Sequence, residues 1–352
     1  MIFYDFEVFK EDWLAVFIDV TRKKEYVIIN NPDELKALYE ANSKDIWVGY
    51  NNRHYDQYIM KGILLGMNPK RINDWIIVEK KEGWQFSSAF NKVPMINYDV
   101  MPNPPVGLKT LEGFLGSNIK ETDVDFRINR KLTKEEIEMT VFYCRHDVEE
   151  TIKVFLEKID EFNAMHGIVQ AFPDIVNLSD IGDSEARITA KVLGCSRRSF
   201  EDEFDFYFLP CLQLKKYKYV QDWFEQKRQE ALSMDLAHMD KYSKRTWYKE
   251  QGLETVVAGI PHSFGFGGVH GATATPIHKT GQLLHVDVNN YYPSMLIAWG
   301  LVTRAATNDN YPLVYNTRKA MKEKQIAAKN AGNKKEVKRW KKAQLPYKKM
   351  LN

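Results

Sequence analysis

The sequence predicts a mixed α/β fold at its N-terminal end, followed by helical and strongly basic segments. Short apolar, aromatic-rich runs follow one another at Met1 to Glu7, Trp13 to Val20 and Glu25 to Ile29. A helix with a readable start separates them from a fourth run at Ile46 to Tyr50, and a longer helix begins at a capping box at Thr133. This β-β-β-α-β order places the strands in one layer with helices packed beside it.

The first strand lies in MIFYDFEVFKED. Ile2, Phe3, Tyr4 and Phe6 make it apolar, and residues two apart in a strand share a face, so Asp5 and Glu7 stand side by side. Like charges there repel, and burying them uncompensated is costly, so a positive partner is expected, either basic side chains or a bound cation. The helix after the third strand starts at Asn31, whose side chain can cap it. Pro32 suits the first turn, and Asp33 and Glu34 lie at the positive end of the helix dipole. In the longer helix Glu136 completes the box with Thr133. Ile137, Val141, Val148, Ile152 and Phe155 supply its apolar positions, and Phe172-Pro173 comes after its end.

From about Ser184 to Tyr248 the pattern is mostly helical and reads as a connecting layer. HSFGFGGVHGATATP, residues 262–276, is a glycine-dense break, followed by an expected strand LLHVDV, residues 283–288, and a turn into YYPSMLIAWG. Residues 317–352 read as two helices joined at Ala331-Gly332-Asn333. This hairpin carries the charge. From Arg318 to Met350 there are 13 Lys or Arg against two acids, Glu323 and Glu336, a local charge of +11 in a chain whose net charge is +3. Such segregation points to a polyanion met by one part of the molecule.

At 352 residues the chain has room for two or three domains. Its three cysteines, Cys144, Cys195 and Cys211, are scattered and lack metal-ligand spacing, which argues against a disulfide framework and structural zinc and for reduced thiols. The first residues lack the basic region of a secretion signal and no apolar run approaches bilayer length, so a cytoplasmic protein without a membrane partner is expected.

Two further stretches bear on Asp5 and Glu7. GYNNRHYDQYIM places Asn52 and Asp56 just after the fourth strand, and FYCRHDVEE places Tyr143 and Asp147 at i and i+4, on one face of the capped helix. Four carboxylates and a phenol then form an all-oxygen set suited to Mg²⁺ or Mn²⁺. Two such ions about 3.5 to 4 Å apart can clamp the attacking and leaving oxygens of phosphodiester hydrolysis.

Asp5-x-Glu7, Asn52-x-x-Tyr55-Asp56 and Tyr143-x-x-x-Asp147, in this order, resemble the three motifs of the DEDDy 3′→5′ exonucleases, which share a ribonuclease H-like fold. The resemblance implies that Asp5, Glu7, Asp56 and Asp147 bind two Mg²⁺ (or Mn²⁺) ions, that Tyr143 orients the attacking water, and that Asn52 helps to hold the DNA strand. An unperturbed phenol, with a pKa of about 10, is a poor base at neutral pH but a good hydrogen-bonding guide. His54 and His146, beside the motifs, read as solvent or DNA-backbone contacts.

HVDVNNYYPSMLIAWG resembles motif A of the family B DNA polymerases, Asp-x-x-Ser-Leu-Tyr-Pro-Ser, with Asn290 and Tyr291 in place of Ser and Leu. The resemblance implies that Asp287 binds the catalytic metals of a polymerase site and that Tyr292 stacks under the sugar and rejects ribonucleotides. Arg318 and Lys322, and Lys348 and Asn352, are i,i+4 pairs that resemble the Arg-x-x-x-Lys pair and the Lys-x-x-x-Asn of motif B in the fingers of that family, with Pro346 kinking the second helix ahead of Lys348. These pairs are implied to grip the incoming deoxynucleoside triphosphate, a task for which cations are suited. Phe264 to Gly271 resembles the Tyr-x-Gly-Gly-type element that touches DNA between the two domains of that family.

The resemblance implies a ribonuclease H-like exonuclease domain at 1–165, a mostly helical connector at 166–255, part of a polymerase palm at 256–316 and a helical-hairpin fingers segment at 317–352. Bacteriophage polymerases are the nearest look-alikes, which would place the protein in a host cell's cytoplasm. The implied partners are a DNA primer-template, a single-stranded 3′ end and deoxynucleoside triphosphates. The Asp-Thr-Asp of motif C does not occur, and the chain stops within motif B. An incomplete chain, one half of a split polymerase completed by a separate C-terminal fragment, or a degraded product is therefore expected. A free-standing DEDDy exonuclease and a non-catalytic DNA-binding subunit are the alternatives. Tyr292 and the paired cations speak against the first of these, and the four acids against the second.

Overall fold

The computed structural model describes residues 1–117, 123–195, 204, 206–278, 280–282, 284, 286, 288, 290–304, 306 and 309–351, apart from the side chains of 303 and 304. The chain divides into two compact units, residues 1–196 with 292–352, and residues 197–291.

The larger unit is mixed α/β. Strands β1 (Ile2–Val8), β2 (Trp13–Asp19), β3 (Lys24–Ile29), β4 (Ile46–Gly49) and β5 (Ile96–Asp99) form one sheet of order β3-β2-β1-β4-β5. β1 pairs antiparallel with β2, and β2 with β3, whereas β1–β4 and β4–β5 are parallel. The central strand, β1, is covered on both faces, which is why its sequence is so apolar. On one side Ile2, Tyr4, Phe6 and Val8 join the core that holds Leu35 of α1 (Pro32–Ala41), Ile59 of α2 (Asp56–Leu64) and Ile72 of α3 (Pro69–Asn73). On the other side Phe3 joins the core with Cys144, Val148 and Phe155. The two-residue strand period thus sends Asp5 and Glu7 to the same side as Phe3.

That second face is covered by helices that follow α4 (Leu108–Leu115), namely α5 (Lys134–Glu157), α6 (Ile159–Ala171) and α7 (Glu185–Val192). The expected caps form: Asn31 accepts from the Glu34 N–H at 3.2 Å, and Thr133 and Glu136 cap each other reciprocally. The long helix is interrupted at Lys158, so the expected single helix is two, α5 and α6.

The smaller unit contains α8 (Lys218–Ser233), α9 (Lys241–Glu250) and a three-stranded antiparallel sheet of β6 (Leu253–Val257), β7 (Ile260–Gly265) and β8 (Gly268–Gly271). The expected glycine-dense break is therefore largely a β-hairpin. Its tip is anchored by Phe266, which packs against Trp223, Phe224, Trp247 and Tyr248 with ring centroids 5.4–6.1 Å away.

The expected strand at 283–288 is not seen in its described residues. Leu284, Val286 and Val288 lie outside any strand and are 87, 79 and 56% exposed. A strand needs a neighbour for its backbone N–H and C=O groups, and among the described residues no strand pairs with this segment. Asp287 itself lies outside the described residues.

After α10 (Tyr291–Ala298) the chain enters the basic hairpin, α11 (Asn310–Asn330) and α12 (Lys334–Ala343), followed by α13 (Leu345–Met350). Pro346 does not kink a continuing helix as expected. It sits in the first turn of a new one, where its missing N–H is harmless. This end of the chain belongs to the same compact unit as the N-terminal sheet, whereas the charge pattern and motifs set it apart. α13 packs on α6 and α7: a Cβ on Gly167 would lie 2.6 Å from Pro346 Cγ, and Lys349 Nζ is 2.5 Å from Glu185 Oε2. No helix among the described residues is long and apolar enough to cross a membrane.

Candidate metal centre

The strand period and the helix period meet where β1 passes α5. Cys144 of α5 is fully buried, and its thiol donates to the main-chain oxygen of Asp5 at 3.5 Å and to Asp5 Oδ2 at 3.4 Å. This forked contact, together with the packing of Val148 and Phe155 against the Phe3 face, holds α5 against β1. Tyr143 and Asp147, one turn apart, then face the carboxylates of β1, close enough for each to shift the other's pKa.

The third acid comes from the other side of the sheet. Asp56, the first residue of α2, is 3% exposed, and its Oδ1 accepts from the main-chain N–H of Phe6 at 3.1 Å. The turn ahead of it is tightly held. A Cβ on Gly49 would lie 2.8 Å from Asn52 Cβ, so that position needs a glycine. Asn52 is fully buried, and its amide donates to Asn97 Oδ1 at 2.8 Å and to the Tyr98 carbonyl at 3.2 Å. Asp99 accepts from the N–H groups of Asn51, Arg53 and Met101 at 2.9–3.2 Å. Asn52, expected at the DNA strand, is thus a structural link between the α2 turn and β5.

The structure therefore brings Asp5, Glu7, Asp56, Tyr143 and Asp147 together. Asp56 is buried and Asp5, Glu7 and Asp147 are half-buried, and their charges act on one another. Burial, followed by the charge of Asp147, pushes the Asp5 carboxyl up to about 7. Burial and then Asp5 push Glu7 and Asp56 well above the usual carboxylate range. Asp147 is raised by burial, with Lys109 pulling the other way. The Tyr143 phenol is raised by burial and by Asp147 and Glu7, so it remains a protonated donor at neutral pH.

Sequence reasoning missed the residues around Asp147. Lys109 of α4 places Nζ 2.5 Å from Asp147 Oδ1, 3.1 Å from Glu112 Oε1 and 4.7 Å from the centre of the Tyr143 ring. Glu112 is fully buried, and Oε2 lies 3.5 Å from His146 Nε2. His146, expected to face solvent or DNA, is buried against Glu112, while His54 remains exposed. The only hint in the sequence was the i,i+3 spacing of Lys109 and Glu112, a pattern common on solvated helices.

Two sets of donors could hold a metal ion. Ligand atoms of Asp5, Glu7 and Cys144 lie within 4.8 Å of one another, as do those of Glu112, His146 and Asp147. Carboxylates, the donors hard cations prefer, make up two of the three members of each set, with the Cys144 thiol and the His146 imidazole as the third, and Lys109 offsets the charge of Asp5, Glu7 and Asp147.

At the basic end of the chain, Arg318 and Lys348 line one cavity of about 650 Å³ together with Lys338, Lys341 and Lys342, facing Asp160 and Glu161 of α6. Lys322 is not among its lining residues, and Tyr292, 70% exposed on α10, is not either. Asn352 lies outside the described residues. In comparisons with known proteins the chain matches no family model, no curated protein and no solved structure.

Proposed function

We propose that residues 1–165 are a metal-dependent 3′→5′ exonuclease of the DEDDy type on a ribonuclease H-like layer, and that the chain is the N-terminal portion of a family B DNA polymerase of bacteriophage type. One observation carries the nuclease reading. Asp5 and Glu7 from β1, Asp56 from α2, and Tyr143 and Asp147 from α5 meet at one site, where burial first and then neighbouring carboxylates raise the carboxyl pKa values.

Asp5, Glu7, Asp56 and Asp147 would hold two Mg²⁺ (or Mn²⁺) ions. When bound, the ions supply an activated water and stabilise the attacking and leaving oxygens of phosphodiester hydrolysis. The chain's own contribution is placement. β1 presents Asp5 and Glu7 on one face, the Phe6 N–H fixes Asp56, and the core that joins Cys144, Val148 and Phe155 to Phe3 seats α5 on the sheet. Tyr143, held protonated, orients water through its hydroxyl and does not act as a base. The substrate is a single-stranded DNA 3′ end.

The polymerase part of the proposal is supported by the cavity that Arg318 and Lys348 share, whose cations suit a deoxynucleoside triphosphate or the phosphates of a primer-template. Extension would need a second carboxylate site alongside Asp287, which the Asp-Thr-Asp missing from residues 1–352 would supply. A free-standing exonuclease is the second reading, favoured by the exposure of Leu284, Val286 and Val288 outside any strand.

The test compares two variants by Mg²⁺-dependent cleavage and by Mn²⁺ binding. Asp5→Ala with Glu7→Ala should lose both. Tyr143→Phe should keep metal binding and slow cleavage by about 10²-fold, the usual loss for a positioned donor. Equal loss of metal binding in both variants would remove the role assigned to Tyr143.

A further inference from the structure

We infer that Lys109 is the resident counter-ion of the carboxylate site, holding Asp147 in the metal-free protein and competing with the divalent cation for it, so that this lysine sets the metal affinity. The inference rests on the reading of Asp147 as a metal ligand. It concerns α4, to which the motifs assign no role.

The geometry points to competition. Lys109 Nζ stands 2.5 Å from Asp147 Oδ1. An Mg²⁺ ion binds a carboxylate oxygen at about 2.1 Å, so an ammonium and a metal sharing that oxygen would be at most about 4.6 Å apart, and they repel. Each therefore weakens the other's hold on Asp147, and Lys109 is the one free to move away, because its side chain is 27% exposed while Asp147 is 14% and Glu112 is 0% exposed.

Glu112 explains why the lysine is there in the metal-free protein. It is a fully buried acid whose two oxygens make no hydrogen bond; Lys109 lies 3.1 Å away, His146 Nε2 lies 3.5 Å away, and the acid Asp147 belongs to the same close group. A buried carboxylate of this kind needs a cation, so it anchors Lys109 from one turn along α4. From that anchor the ammonium reaches across to α5 and takes the oxygen that a metal would use. On metal binding it gives up Asp147 and keeps Glu112.

The experiment measures Mn²⁺ binding to the full chain by the paramagnetic resonance signal of free Mn²⁺, with no substrate present. Lys109→Met removes the competitor and should tighten binding about tenfold, roughly 1.4 kcal/mol. Lys109→Gln, which also removes the competing charge but keeps a polar side chain beside Glu112, should tighten it to a similar extent and guards against misfolding of the Met variant. A lysine that merely braces Asp147 would give the opposite sign, so unchanged or weaker binding in both variants overturns the inference. Asp5→Ala with Glu7→Ala separates the two levels. If that pair abolishes Mn²⁺ binding while both Lys109 variants match the wild type, the metal centre stands and only the role of Lys109 falls. If that pair leaves binding intact, the metal centre falls and the inference with it.

Discussion

The main-chain N–H of Phe6 donates to Oδ1 of Asp56 at 3.1 Å, so the third carboxylate of the site is positioned by the backbone of the strand that carries the first two. Asp56→Asn keeps an acceptor for that N–H while removing a buried charge. It should raise the melting temperature of the metal-free protein at pH 8 and abolish metal-dependent cleavage. Asp56→Ala should also abolish cleavage, but it leaves the N–H unpaired and should be less stable than the Asn variant by about 1–3 kcal/mol. Urea unfolding in the presence of a chelator measures the difference. Equal stability of the two would mean that the bond positions nothing.

Acidity gives a second expectation. The folded protein holds the protons of Asp5, Glu7, Asp56 and Asp147 more tightly than the unfolded chain does, because their carboxyl pKa values are raised on folding. Stability from these groups is full below the ordinary carboxyl value and is lost as pH rises through the folded value, about 7 for Asp5. Groups held low by arginine, such as Asp19 and Glu136, titrate at lower pH and do not offset the trend. The metal-free melting temperature should therefore fall between pH 5 and pH 8, and added Mg²⁺ should restore more of it at pH 8 than at pH 5. A metal-free melting temperature that rises across this range would contradict the raised values.

Packing at the other end of the larger unit gives a third. Gly167 on α6 lets Pro346 of α13 approach so closely that an added Cβ would lie 2.6 Å from the ring. Gly167→Val should therefore destabilise the unit by about 1–3 kcal/mol, as overpacking does. Chemical unfolding checks this, with faster proteolysis near residue 345 as the local sign. No change in either would mean that α13 is not seated on α6.

The basic cavity gives a fourth. Replacing Lys338, Lys341, Lys342 and Lys348 by Gln should weaken single-stranded DNA binding and flatten its salt dependence, by about 0.7 in the log–log slope for each phosphate that is no longer neutralised. An unchanged slope would make these lysines a solvated face.

The succession of the first four strands and the gathering of acids were legible in the sequence because both follow short periods, whereas β5 and the order of strands in the sheet were not read. Asp5 and Glu7 alternate in an apolar strand, and Tyr143 and Asp147 sit one turn apart in a helix with a marked start, so local rules suffice to set their faces. Asp56 was legible as a residue, but not its bond to Phe6, which joins positions 50 apart. Lys109, Glu112 and His146 escaped for the same reason. Their chemistry exists only once α4 lies against α5, and an i,i+3 pair looks the same on a solvated helix. The expected strand at 283–288 failed in its described residues because apolar alternation marks a capacity to pair and does not supply the partner. Pro346 was recognised as an interruption, yet whether a proline kinks a helix or opens a new one depends on where the chain turns, and α13 turns to meet α6.

The most direct measurement is the polarity of DNA cleavage by the purified chain. Single-stranded DNA labelled at its 5′ end should shorten in single-nucleotide steps in Mg²⁺, and the same strand labelled at its 3′ end should release labelled mononucleotide first. Both signals should vanish in chelator and in Asp5→Ala with Glu7→Ala. An intact oligonucleotide in the presence of folded, metal-bound protein would contradict the account, as would cleavage undiminished in the double variant.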